Sequence, residues 1–305
     1  MKKSPDELRD VLIGMNVAFS RGENAMAWAR KHTQQESNHL FSTLVAYDLQ
    51  AGDYVKKTLK SYEENRQWCM QIADLLSPYL EMGSTLLEVG VGEATTLAGV
   101  MKELQPITVY GLGLDISWSR IHIAHSWCNE EALSAELFVG DMFNIPLEDD
   151  AVDVIYSSHS LEPNGGMEDL AIKELLRVAR KVVVLVEPIF ELASKEAQSR
   201  MAEHGYIRNL KSAAEKTDAT IRDYRLLELT PNSLNPSGVL LLEKGEASQK
   251  EKSLHWKCPL TGGRLMNEGD VFFNDQFGIA YPILRGIPML HVDHAIIASK
   301  LKKGD

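Results

Sequence analysis

The residues best suited to chemistry gather at a few points in the middle of the chain. Glu88-Val89-Gly90-Val91-Gly92-Glu93-Ala94 is a glycine-rich turn. Glycines there let a ligand approach the backbone, and the N–H groups opening the next helix favour a carboxylate or phosphate. Asp115 closes Gly111-Leu112-Gly113-Leu114-Asp115, about twenty residues further on, where a carboxylate can accept hydrogen bonds from the hydroxyls of a ribose. Asp141 follows Val139-Gly140 and precedes Met142; its carboxylate could accept from an adenine amino group while the Met142 N–H reaches a ring nitrogen. Each acid could equally cap a helix, and the glycines could serve close packing alone. His159 offers an imidazole able to take a proton from a hydroxyl or amine near neutral pH, or a structural ring bonded to a carbonyl. Glu162 and Glu187 could orient a polar acceptor, neutralise a cation or pair with an arginine.

These residues need elements to hold them. Apolar runs at Thr85–Val89, Thr108–Leu114, Glu136–Val139, Val152–Ser157, Val182–Glu187, Tyr224–Leu229 and Val239–Glu243 read as strands. Helical patterns at Thr96–Leu104, Ser119–Cys128, Met167–Ala179 and Glu196–His204 alternate with them. That alternation predicts a buried parallel sheet in an α/β fold. The last two strands are joined by the turn-rich stretch Thr230-Pro231-Asn232-Ser233-Leu234-Asn235-Pro236-Ser237-Gly238, too short for a crossover helix, so that pair should be antiparallel. Glycine loop and acids then fall at successive carboxyl edges, where open α/β sheets bind ligands. Residues 1–82 read as a helical cap, with Glu23–Lys31, Phe41–Gln50 and Asp53–Leu80 as its helices; 83–246 form the sheet domain, and 247–305 a linker, Gly245–Ser253, and a small β-rich module ending in a short helix.

Glu88-x-Gly90-x-Gly92-x-Ala94, Asp115, Gly140-Asp141 and the final antiparallel strand resemble the class I S-adenosylmethionine-dependent methyltransferases, especially the ubiquinone and menaquinone methyltransferase branch, over about residues 80 to 245. The resemblance implies a seven-stranded Rossmann-like sheet with S-adenosylmethionine as cofactor. It implies cofactor contacts from Glu88, Gly90, Val91 and Gly92 in the loop, from Asp115 and Ile116 at the ribose, from Asp141 and Met142 at adenine, and from Ser157. Ala94 stands where a third glycine is usual. Thr95 occupies the place of the glycine that a dinucleotide fingerprint asks for, which disfavours a nicotinamide-dependent dehydrogenase. The turn at His159-Ser160-Leu161-Glu162 lines the reaction centre in that family, making His159 and Glu162 the candidate catalytic residues. Tyr47 to Tyr54 read either as a lid whose Tyr54 closes over the cofactor or as tyrosines packed between helices.

His255-Trp256-Lys257-Cys258-Pro259-Leu260-Thr261-Gly262-Gly263, with Tyr281-Pro282-Ile283 and Gly286-Ile287-Pro288, resembles the zinc-ribbon-derived activators that accompany several tRNA, rRNA and translation-factor methyltransferases. A ribbon needs two Cys-x-x-Cys knuckles. Here Thr261 takes the second place of the first, and no cysteine follows, so the expectation is no metal, although His255/Cys258 and His291/His294 have ligand-like spacing.

Over 305 residues the net charge is −11, which argues against a broad phosphate-binding surface and so against nucleic acid as a partner. Three scattered cysteines and no apolar run of membrane-spanning length fit a cytoplasmic protein with reduced thiols and no membrane contact. The expected function is methyl transfer to oxygen or nitrogen of a small polar metabolite, a sugar or nucleotide-sugar among the choices. RNA or a translation protein is the alternative acceptor, and a non-catalytic cofactor-binding scaffold the third reading.

Overall fold

The computed structural model describes residues 4–33, 40–245 and 254–301. Helix α1 (Pro5–Ser20), which the sequence pattern does not single out, opens on a capping box: the Glu7 N–H donates to Ser4 Oγ and the Ser4 N–H to the Glu7 carboxylate. With α2 (Ala25–Thr33) and α3 (Leu40–Leu49) it forms a small separate core around Val11, Met15, Ala29 and Ala46. The stretch expected as one helix, Asp53–Leu80, is instead α4 (Asp53–Lys60) and α5 (Tyr62–Leu76), followed by a 3-10 turn at Ser77–Tyr79. Ser61 breaks it, with φ −129° and ψ 53°. That break lets α5 lie on the sheet domain through Cys69, Ile72 and Leu76 while α4 turns over the edge of the sheet.

The sheet domain follows as β1 (Thr85–Val89), α6 (Thr95–Glu103), β2 (Tyr110–Asp115), α7 (Trp118–Glu130), β3 (Ala135–Val139), β4 (Val152–Ser158), α8 (Glu168–Val178), β5 (Ala179–Pro188), α9 (Lys195–Glu203), α10 (Leu210–Ala214), β6 (Thr220–Leu226) and β7 (Ser237–Glu243). The strand order is β3-β2-β1-β4-β5-β7-β6. The first five are parallel, and β7 runs antiparallel to β5 and β6, so the expected α/β architecture holds. Strands β4, β5 and β7 are buried along almost their whole length, as strands covered by helices on both faces must be. The order reverses at β1, and the crevice beside β1, β2 and β4 is where such sheets take ligands.

The remaining strands, β8 (Trp256–Lys257), β9 (Arg264–Asn267), β10 (Val271–Asn274), β11 (Ile279–Leu284), β12 (Ile287–Pro288) and β13 (Ile296–Ile297), make an antiparallel sheet. The expected closing helix is only a 3-10 turn, Val292–His294, because the chain doubles back to pair β13 with β11. Met289 bridges Val139 in parallel and the Leu290 N–H donates to the Val139 carbonyl at 2.8 Å. The segment after β12 thus continues the large sheet past β3. Cys258, Phe272, Tyr281 and Leu290 belong to the same apolar core as Leu87, Leu112 and Phe138. Of the expected linker, only Gly245 lies among the described residues. Among those residues no helix is long and apolar enough to cross a membrane.

Candidate functional site

The turn after β1 takes its shape from two glycines. Gly90 has φ +71°, and a Cβ there would stand 2.2 Å from the Ser160 Cβ; Gly92 has φ +54°. Only glycine adopts such angles without strain. Ala94 nevertheless has φ +57° at the N-cap of α6, a left-handed conformation that costs an alanine roughly 1–2 kcal/mol.

Asp115 ends β2 beneath this turn. Its Oδ2 accepts the Gly92 N–H at 3.0 Å and its Oδ1 the Ser117 N–H at 2.8 Å. Burial raises its pKa, opposed by the nearby Arg120 and those backbone donors. A carboxylate has about four lone-pair sites, so with the Gly92, Ser117 and Ile116 N–H groups placed, room remains for a ligand hydroxyl. Asp141 follows β3 and its Oδ1 accepts the Phe143 N–H at 2.9 Å. Glu88, in β1 and 2% exposed, meets the Tyr156 hydroxyl at 2.8 Å. Burial pushes its pKa up to about 8 despite that bond.

One cleft of about 700 Å³ runs along these edges. Of the expected cofactor contacts, Glu88, Gly90, Val91, Gly92, Tyr54, Asp115, Ile116, Asp141 and Met142 all line it, with His159 and Glu162 at its far side. Ser157 does not. It is wholly buried, and the next residue, Ser158, whose side chain points to the other face of the sheet, lines the cleft instead, accepting the Trp68 Nε1–H at 3.3 Å.

His159 sits at the end of β4 with φ +54°, and both ring nitrogens are engaged: Nδ1 lies 2.8 Å from Glu162 Oε2 and Nε2 2.7 Å from Ser237 Oγ. Burial would lower the imidazole pKa, but the Glu162 hydrogen bond and charge raise it on balance. The ring therefore ties the turn after β4 to the start of β7. Glu187 supports the same turn from below, its carboxylate accepting the N–H groups of Ser160, Leu161 and Glu162, each at 3.1 Å. It is fully buried and outside the cleft wall.

Two residues went unnoticed in the sequence. Glu93 is 1% exposed and reaches across to the cap, accepting the N–H groups of Gly52 at 2.9 Å and Val55 at 2.7 Å. Arg120, in the first turn of α7, donates from Nε to the Tyr47 carbonyl at 3.0 Å. Its guanidinium carbon lies 4.7 Å from the ring centres of both Tyr47 and Tyr54. Tyr54 thus forms part of the cleft wall. The Ser117 hydroxyl completes this seam by donating to Asp48 Oδ1 at 2.8 Å. No local pattern marks Glu93 or Arg120, because their partners lie on the cap, far away in sequence.

In the small sheet Cys258 is buried with its sulfur 3.4 Å from the Tyr281 hydroxyl. Among the described residues no group of three or more His, Cys, Asp or Glu is placed to hold a metal.

A family model described as a methyltransferase domain matches residues 86–183. No curated protein matches the chain. Among solved structures, the magnesium protoporphyrin IX methyltransferase of Synechocystis, with bound SAH, aligns at 11% identity and a TM-score of 0.52, over 67% of this chain and 100% of that one. A chain of the complex between the Haloferax volcanii Trm112 methyltransferase activator and a methyltransferase aligns at 16% identity and a TM-score of 0.49, over 65% and 96%. A SAM-dependent methyltransferase of Methanosarcina mazei aligns at 19% and 0.46, over 56% and 96%. Residues 86–183 thus match a methyltransferase domain, and the Synechocystis structure shares the fold of the large sheet.

Proposed function

We propose that this protein transfers the methyl group of S-adenosylmethionine to an oxygen or nitrogen of a small polar metabolite. The observation that carries the reading is the single cleft joining the glycine turn, Asp115 and Asp141 to the His159–Glu162 turn under the helical cap. Its roughly 700 Å³ suits a small-molecule site, typically about 300–1,000 Å³. The helices above it favour an acceptor small enough to be enclosed.

The cofactor supplies an already activated methyl group on a sulfonium, so the protein's part is to position the reactants in line and exclude water. Asp115 holds the ribose and Asp141 the adenine. Glu88 ionises opposite the cofactor's cationic end. His159 and Glu162 act together as one wall of the acceptor site: with both ring nitrogens engaged, His159 orients Glu162 and the turn rather than standing free as a base. Residues 1–82 act as the lid over the sheet domain of 83–246. The module in 247–305, related by its Tyr-Pro-Ile and Gly-Ile-Pro signatures to the zinc-ribbon-derived activators, braces the β3 edge without metal. Its loop motif resembles that of the quinone methyltransferase branch.

Incubation with methyl-labelled cofactor and fractionated cell extract tests this. Label in the small-molecule fraction is expected. Label in RNA or protein would transfer the reading to a macromolecular acceptor, and tight cofactor binding without any label would make the chain a non-catalytic binder. Asp115→Ala should lose cofactor binding by calorimetry while keeping a folded melting transition; undiminished affinity would remove Asp115 from the site.

A further inference from the structure

Arg120 is 5% exposed yet sparsely bonded. A guanidinium carries five N–H donors. Nε–H is spent on the Tyr47 carbonyl, whereas Nη2 is buried and has no hydrogen-bond partner among the described residues. Nη1 lies 3.3 Å from the point a Cβ on Gly92 would occupy, over the glycine turn, and the side chain lines the cleft. Asp115 is close enough for its charge to be felt, but no hydrogen bond joins it to Arg120 among the described residues; its oxygens accept from the Gly92 and Ser117 N–H groups. The two tyrosine faces and the Asp115 charge offset burial of the cation, and Nη1 is left with a donor to spend on a ligand.

The surroundings indicate which part of a ligand that is. Arg120 stands at the β2 end of the cleft, beside Asp115 and Gly92. The buried acid Glu88 belongs to the β1 and β4 side, where a cationic group is better placed. A guanidinium beside a sulfonium would repel it, whereas beside a sugar it meets uncharged oxygens. Each hydroxyl of a cis-diol both donates and accepts, so complete recognition needs an acceptor and a donor. Asp115 supplies the first.

We propose that Arg120 is the second ribose-binding residue of this site: its Nη1, over the glycine turn, donates to a hydroxyl oxygen of the cofactor ribose whose hydrogen Asp115 accepts. Through the Tyr47 carbonyl and the two tyrosine rings, the same side chain ties ribose occupancy to the seating of the cap. The assignment rests on reading the cleft as the S-adenosylmethionine site.

The test compares two probes on wild type, Arg120→Gln and Arg120→Ala: S-adenosylhomocysteine, and 5′-methylthioadenosine, which keeps the ribose but lacks the carboxylate and ammonium. Both affinities should fall by the same factor, about tenfold or more, as for loss of a hydrogen bond to a charged group. A loss confined to S-adenosylhomocysteine would give Arg120 to the carboxylate and overturn the assignment, as would no loss on either probe. If neither variant folds, wild type is titrated with 2′-deoxy and 3′-deoxy forms of 5′-methylthioadenosine. At least one should bind about tenfold more weakly, and undiminished binding of both overturns the proposal. Wild type that binds neither parent probe would instead sink the cofactor reading itself.

Discussion

Glu88 shows how one buried side chain records what the cleft awaits. Its carboxyl is held near pKa 8 by burial, far above the ordinary value of about 4.3 of an unfolded chain. Between those values the folded protein binds a proton that the unfolded chain releases, so stability falls as pH rises through that window and levels off above about 8. Glu88→Gln removes the titration. Without ligand, the variant's melting temperature should gain on wild type from pH 5 to pH 8, with a slope near 1.4 kcal/mol per pH unit at most. Parallel melting curves across that range would mean that Glu88 is ionised in the folded protein. His159 carries a different lesson. Its place in the sequence suggests a base; the structure adds that its ring meets Glu162 and Ser237, and Ser237 lies at the start of another strand, beyond the reach of any local motif.

At the scale of elements, the seam between cap and sheet is the part with a function of its own. Glu93 leaves the glycine turn to satisfy two N–H groups at the start of α4. Such groups lack intrahelical partners, and losing a cap costs typically about 1 kcal/mol. Glu93→Ala should therefore speed amide exchange at Gly52 and Val55 and raise the cofactor KM severalfold. Unchanged exchange at both positions would show that the carboxylate does not latch the cap. Much of the sheet domain was legible beforehand, since a strand buried on both faces reads as an uninterrupted apolar run, as Val182 to Val186 does. The Asp115 and Asp141 edges followed from the same pattern. What escaped depended on contacts distant in sequence or on single residues: the break at Ser61 inside a continuous helical pattern, and the choice of Ser158 over Ser157, which a one-residue change of phase decides. Arg120 escaped because an arginine on an otherwise mixed helix looks like any solvated charge until its burial is known.

For the whole molecule, the small sheet is part of the large one's construction. Trp256 packs edge-on against Phe138, ring centres 5.0 Å apart. The Lys257 N–H donates to the Pro146 carbonyl at 3.0 Å. A chain ending at residue 245 should consequently expose the faces of Phe138, Ile145 and Leu147, bind hydrophobic dyes and lack a cooperative melt; a sharp transition with full cofactor affinity would mean that the module is an independent appendage.

The two rims of the large sheet are protected by different means. Strand β6 carries Arg222, Asp223 and Arg225, charges that discourage another chain from pairing there. On the opposite rim, β3 is covered by the segment bridging Val139 at Met289, roughly 150 residues later in synthesis order, a long-range closure of the slow-forming kind. A growing polypeptide must emerge past Met289 before that rim is sealed. The interval is the period when nascent chains are most exposed to mutual aggregation.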